Sequence, residues 1–251
     1  MKNSILLLTI LGSVFFSKAQ QPVNPLQKIK SAAEKVSQDI KAVDPFEKSA
    51  SVSQNDIVAG LKQALSIGTD QTAGRLSKAD GFFLDPQIKI LIPEEAKKVE
   101  STLRRLGKGK LVDNAILSMN RAAEDASKVV SQIFLNAILK MSFSDAMGIL
   151  KGGDMAATQY LETTTSQPIK DSMMPVIKKS LDKVNATKYW KDMCTAYNLV
   201  SIKKINPDLN AYVTEKAMRA LFLNIAVEEK KIRQNPEARV TDLLRKVFGN
   251  K

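Results

Sequence analysis

The densest grouping of chemically capable side chains is Asn120-Arg121-Ala122-Ala123-Glu124. On a helix, Asn120 and Glu124 share one face and Arg121 lies three residues from Glu124. The two alanines let a neighbouring element approach closely. One reading makes this a site for an anion or a peptide terminus, with Arg121 presenting a planar fork of donors. The other is a polar network between helices that fixes their register, since buried polar groups need partners whether or not a ligand exists. A second candidate is Gln159-Tyr160 followed by Thr163-Thr164-Thr165-Ser166-Gln167-Pro168. Four consecutive hydroxyls compete for backbone groups, and Thr164 with Gln159 and Tyr160 could line a polar pocket. The alternative is a cap or kink ahead of Pro168, because the residue before a proline is pushed away from helical geometry.

The chemistry open to these groups is narrow. The 251 residues contain no His and one Cys. Within a single chain, Ser-His-Asp and Cys-His catalysis, two-His zinc motifs and two-Cys metal motifs are therefore excluded. No metal site and no cofactor is expected. A nucleophilic Thr or Ser would need a desolvated Lys or a carboxylate as its base. The adjacent pairs Glu94-Glu95 and Glu228-Glu229 point in different directions on a helix and read as solvated charge. Gly107-Lys108-Gly109-Lys110 lacks the spacing and the hydroxyl of a phosphate loop, so it reads as a helix stop and connector. Gly152-Gly153-Asp154 reads as a turn with an N-cap.

The elements that must position these residues are helical. Val130, Ile133, Phe134, Ala137, Ile138 and Met141 fall on one face of a helix. Val240, Leu243, Leu244, Val247 and Phe248 repeat that spacing. Ser53 with Asp56 and Ser142 with Asp145 resemble capping boxes. Asn206-Pro207-Asp208 and Asn235-Pro236-Glu237 read as helix starts, with Asn as the cap. Gly107 and Gly249 read as helix stops. Residues 217–227 are apolar except at Arg219 and Asn224, which predicts the central helix of the bundle. Residues 88–92, between Pro86 and Pro93, could be extended but are too short to found a sheet. The fold class is all-α: a single compact multi-helix bundle over residues 51–251, with residues 20–50 as a loosely docked N-terminal arm carrying one weak amphipathic helix.

Residues 1–19 read as a cleaved signal peptide. Lys2 precedes an apolar stretch over residues 5–16, and Ser17-Lys18-Ala19 places small residues where a signal peptidase acts, predicting cleavage after Ala19. A membrane span needs about 20 apolar residues, so no transmembrane anchor is expected after cleavage. The protein is expected to be periplasmic or secreted. In that setting Cys194, inside the aromatic-rich run Tyr189-Trp190-Lys191-Asp192-Met193-Cys194-Thr195-Ala196-Tyr197, reads as a buried core residue. The net charge of +12 falls to +10 once Lys2 and Lys18 are removed. Basic residues are interleaved with acids and not with aromatics, so no nucleic-acid partner is expected. Anionic envelope components, or another envelope protein, are the partners that this charge suits; solubility of a basic fold is the simpler alternative.

The runs Asp56-Ile57-Val58-Ala59-Gly60-Leu61-Lys62-Gln63-Ala64-Leu65, Asp80-Gly81-Phe82, Ser118-Met119-Asn120-Arg121-Ala122-Ala123-Glu124, Ala156-Ala157-Thr158-Gln159-Tyr160-Leu161 and Thr187-Lys188-Tyr189 resemble the bacterial family known as domain of unknown function 4197. Tyr212-Val213-Thr214-Glu215-Lys216-Ala217 and Thr241-Asp242-Leu243-Leu244 are similar to it as well. The resemblance implies an exported helical protein and brings no activity, ligand or catalytic residue. This chain departs from the family pattern just before Ser118, where Ala115, Ile116 and Leu117 replace an aromatic residue and an acid. The reading that follows is a non-enzymatic envelope or secreted protein that binds a partner, or an apolar or anionic ligand, in a groove between helices. A hydrolase or transferase using carboxylates, Lys or Thr, and a structural envelope scaffold, are the alternatives.

Overall fold

A computed structural model describes residues 53–235 except 201, 203 and 207, together with residue 245. The predicted signal peptide and arm, the helix expected around residues 240–248, Gly249 and the start at Pro236-Glu237 lie outside the described residues. The described residues form eight α-helices and one 3-10 turn, with no strand. In order they are α1 (Gln54–Leu76), a 3-10 turn (Glu94–Ala96), α2 (Lys97–Arg105), α3 (Gly109–Ser127), α4 (Val130–Lys140), α5 (Phe143–Lys151), α6 (Ala156–Lys183), α7 (Ala186–Val200) and α8 (Leu209–Gln234). The protein is all-α.

Local signals set several helix ends as expected. The side chains of Ser53 and Ser142 accept from the backbone N–H of Asp56 and Asp145, and each Asp carboxylate accepts from the Ser backbone N–H in return. Each reciprocal pair satisfies two donors that the first helical turn would otherwise leave open. Gly107 ends the turn after α2 with φ +73, a conformation that costs glycine little. The start at residues 206–208 is displaced: Asp208, not Asn206, caps α8 by accepting from Ala211 N–H at 3.0 Å. Asn206 instead accepts from the Asp208 N–H, an Asx-type turn leading into the cap. Asn235, expected to open a helix, is the C-cap of α8.

The centre of the bundle is α6 and not the segment 217–227. Helix α6 packs against α3, α4, α5, α7 and α8. Its sequence explains this, because Ala157, Leu161, Thr165, Ile169, Met173, Ile177 and Leu181 are all buried and recur at every fourth position. At about 100° per residue, a step of four advances the buried stripe by about 40°. Over the helix the stripe therefore winds around most of the circumference and meets different partners along its length. Pro168 and Pro175 sit inside the helix on exposed positions. The helix runs on through Pro168 to Lys183, so the cap that Pro168 suggested is not there. The ring points to solvent where it displaces no packing, and burial of the stripe offsets the lost hydrogen bond. Within residues 217–227, Ala217, Ala220, Leu221, Phe222 and Ile225 are buried, while Leu223 and Val227 are 44% and 41% exposed. That segment is one face of α8, which packs on α1, α3, α6 and α7.

Helix α4 behaves as its spacing predicts. Val130, Phe134, Ile138 and the C-capping Met141 are buried, and Phe134 meets Phe222 edge to face at 6.1 Å. Glu229 does not behave as predicted, since it is buried rather than solvated. It accepts from Ala157 N–H at 3.0 Å and Thr158 N–H at 2.9 Å, so a carboxylate from α8 caps the first turn of α6. Asp154 was the expected cap, but the N-cap position is Met155, which makes no side-chain cap.

Candidate functional site

Asn120, Arg121 and Glu124 come together on α3 and hold the segment 77–93. Asn120 is fully buried; its Oδ1 accepts from Ile90 N–H at 2.9 Å while its Nδ2 donates to Ile90 O at 2.8 Å and Ile116 O at 2.7 Å. The amide thus pairs with one residue of backbone much as a neighbouring strand would, which is how the short stretch 88–92 is held without a sheet. Glu124, also buried, accepts from the N–H groups of Phe82 and Phe83 at 3.1 and 3.3 Å. Arg121 donates to Glu124 at 2.6 Å and to Asp80 at 2.7 Å. Hydrogen bonding to Glu124 and then to Asp80 raises the guanidinium pKa still further. Asp80 has φ 68, a left-handed conformation that Asp tolerates, and its ion pair with Arg121 fixes it there. Gly81 follows because a Cβ would lie 2.6 Å from Arg75 O.

Gln159, Tyr160 and Thr164 lie on α6, and no hydrogen bond among the described residues joins them to the α3 cluster. Gln159 and Thr164 are exposed; Tyr160 is half-buried. Burial, and then the charge of Asp145, raise the Tyr160 pKa. The hydroxyls of Thr164, Thr165 and Ser166 donate back to the carbonyls of Tyr160, Leu161 and Glu162. They are spent on their own helix.

The concave feature that composition did not reveal is a cleft of about 600 Å³ among α2, α3 and α7. Its walls include Leu103, Val112, Leu117, Met119 and Trp190, with Ile92 at one end. Ala115 and Leu117 form part of this wall, so the cleft is apolar there. Two of its polar groups are engaged: Ser118 Oγ donates to Asn114 O at 2.8 Å, and Glu100 accepts from Arg104 at 3.1 Å. One signal could have found the cleft: Leu111, Ala115 and Ser118 follow helical spacing on a face of α3 other than that of Asn120 and Glu124. Trp190 and Ile92 also line a neighbouring, more polar groove of about 810 Å³. There the Tyr212 hydroxyl donates to Leu91 O at 2.9 Å, and burial pushes its pKa up to about 12, helped by the charges of Glu95, Glu94 and Glu215. Cys194 is buried as expected, and desolvation pushes its thiol up to about 11. Among the described residues no three His, Cys, Asp or Glu side chains gather to hold a metal ion.

No curated protein and no solved structure matches this chain. A family model does match it, over residues 51–249, which takes in every described helix and both candidate clusters. The chain belongs to the family described as protein of unknown function (DUF4197).

Proposed function

We propose that this is an exported, non-catalytic binding protein that holds an apolar ligand in the cleft among α2, α3 and α7. The observation that carries the reading is the cleft itself: its volume of about 600 Å³ is that of a small-molecule site, and apolar side chains dominate its walls. Binding is favoured over hydrolysis because Glu100 is the one carboxylate among its lining residues and is already paired with Arg104. Carboxylate-based hydrolysis needs an acid and a base acting together. An acyl chain or similar elongated apolar group suits such walls. Export is supported by the leader-like pattern of residues 1–19.

The test is displacement of a fluorescent fatty-acid analogue by palmitate, in the chain beginning at Gln20 and in Ala115→Trp, which fills the cleft from its α3 wall. Saturable binding that Ala115→Trp weakens about tenfold or more, with an unchanged melting curve, supports the reading. Equal binding by the folded variant overturns it.

A further inference from the structure

The hairpin formed by α2 and α3 presents an apolar tip among exposed cations. Leu106 is 69% and Leu111 50% exposed, on either side of the turn at Gly107. Helix α2 has no fully buried residue and packs on α3 and the preceding 3-10 turn, so the hairpin stands at the edge of the bundle. Residues 97–111 contain six basic side chains and a single acid, Glu100. Arg104 is engaged by Glu100 and Asp113, and Lys97 by Glu94 and Glu100. Among the described residues Arg105, Lys108 and Lys110 make no ion pair, and all three are exposed. Exposed leucines cost solubility with no return in folding energy, and like charges clustered around them repel one another. Both costs are removed by one kind of surface, apolar beneath and anionic on top.

We propose that this tip docks the protein on an anionic lipid bilayer, Leu106 and Leu111 entering the headgroup–acyl boundary while Arg105, Lys108 and Lys110 pair with lipid phosphates. Charge complementarity selects this occupant: three exposed cations within six residues match a field of phosphates, and their long aliphatic stems can lie beside the leucines. The inference goes beyond the cleft and does not depend on it. Leu111 also lines the cleft, so docking would set the cleft's edge against the lipid.

The experiment is co-sedimentation of the chain beginning at Gln20 with vesicles of phosphatidylcholine alone, and with vesicles in which roughly a third of the lipid is phosphatidylglycerol. Binding to the anionic vesicles alone, weakened by salt, is expected. Removing the three cations in R105S/K108S/K110S should lower the partition coefficient about 100-fold. Leu106→Ser should lower it about tenfold while leaving the salt dependence in place. Equal partition of the parent chain into neutral and anionic vesicles, which needs no variant, overturns the proposal. So does an unchanged partition of the folded triple variant, or binding through these residues to nucleic acid or an acidic polypeptide without binding to vesicles. Displacement of the monomeric fatty-acid analogue in solution should be unaffected by the triple substitution, which separates failure here from failure of the cleft reading.

Discussion

Glu229 and Thr158 meet through two hydrogen bonds, from the Thr158 N–H at 2.9 Å and its hydroxyl at 2.8 Å, so that a carboxylate near the end of α8 caps the first turn of α6, 71 residues away along the chain. Arg233 holds the same carboxylate at 2.8 Å and donates to Ile149 O, tying α5 to the junction. The charge sits against the positive end of α6, where it satisfies open donors and the helix dipole together.

Glu229→Ala should therefore cost about 3–5 kcal/mol, because it orphans the α6 donors and leaves the Arg233 charge buried without this partner. Urea unfolding would measure it. The double variant E229A/R233A should cost less than the two single variants added together, since each single substitution already breaks the same ion pair.

Asn120→Asp should destabilise by about 2–4 kcal/mol, more than the apolar Asn120→Leu. A carboxylate can still accept from Ile90 N–H, but it faces the carbonyls of Ile90 and Ile116 with no donor to offer. Hydrogen exchange should show the Ile90 amide losing protection before the amides of α6, because the segment 77–93 is released first.

Alkaline pH should erode stability in a defined window. The folded Cys194 thiol keeps its proton to about 11 against an ordinary 9.0, and Tyr212 to about 12 against 10.0. In both cases the unfolded chain ionises first. The stability these groups contribute is whole below about pH 9 and is lost as pH rises through the folded values. For the buried thiol the loss is on the order of 2–3 kcal/mol. Urea midpoints from pH 8 to 11 should fall less steeply in Cys194→Ala than in the parent. In native buffer near pH 8, a thiol reagent should label Cys194 only as fast as the fold opens.

Pro168→Ala should stabilise the protein by about 1–2 kcal/mol. Alanine restores the N–H that the Thr164 carbonyl lacks as an α-helical donor, and Pro168 faces solvent, so its ring contributes no core packing. Part of that gain is offset by the greater freedom of the unfolded chain. Loss of stability on calorimetry would mean that the proline sets a curvature of α6 which its neighbours need.

Whatever depends on near neighbours is legible in the chain as it is written. Ser53 and Asp56, or Ser142 and Asp145, close a capping box within four residues, and the apolar stripe from Val130 to Met141 needs only helical spacing to select its buried face. Burial of Cys194 follows from its apolar surroundings in the same way. The stripe of α6 is equally written in the chain, at every fourth residue, but Ala157 and Thr165 weaken it and two prolines stand within the helix.

Which residues meet across the bundle follows from how the helices pack. Glu228 and Glu229 are alike in sequence, yet about 100° of helical rotation turns one towards α6 and leaves the other outside the cap. Asn120 and Glu124 were visible as a polar pair, whereas their partners at Ile90, Phe82 and Phe83 lie 30 to 42 residues away. Gln159, Tyr160 and Thr164 share a helix and still form no common site with them. The cleft belongs to this second class, because a cavity is the space that three helices fail to fill. Its existence depends on how α2, α3 and α7 settle against one another, a balance struck by packing over the whole bundle and by no single run of residues.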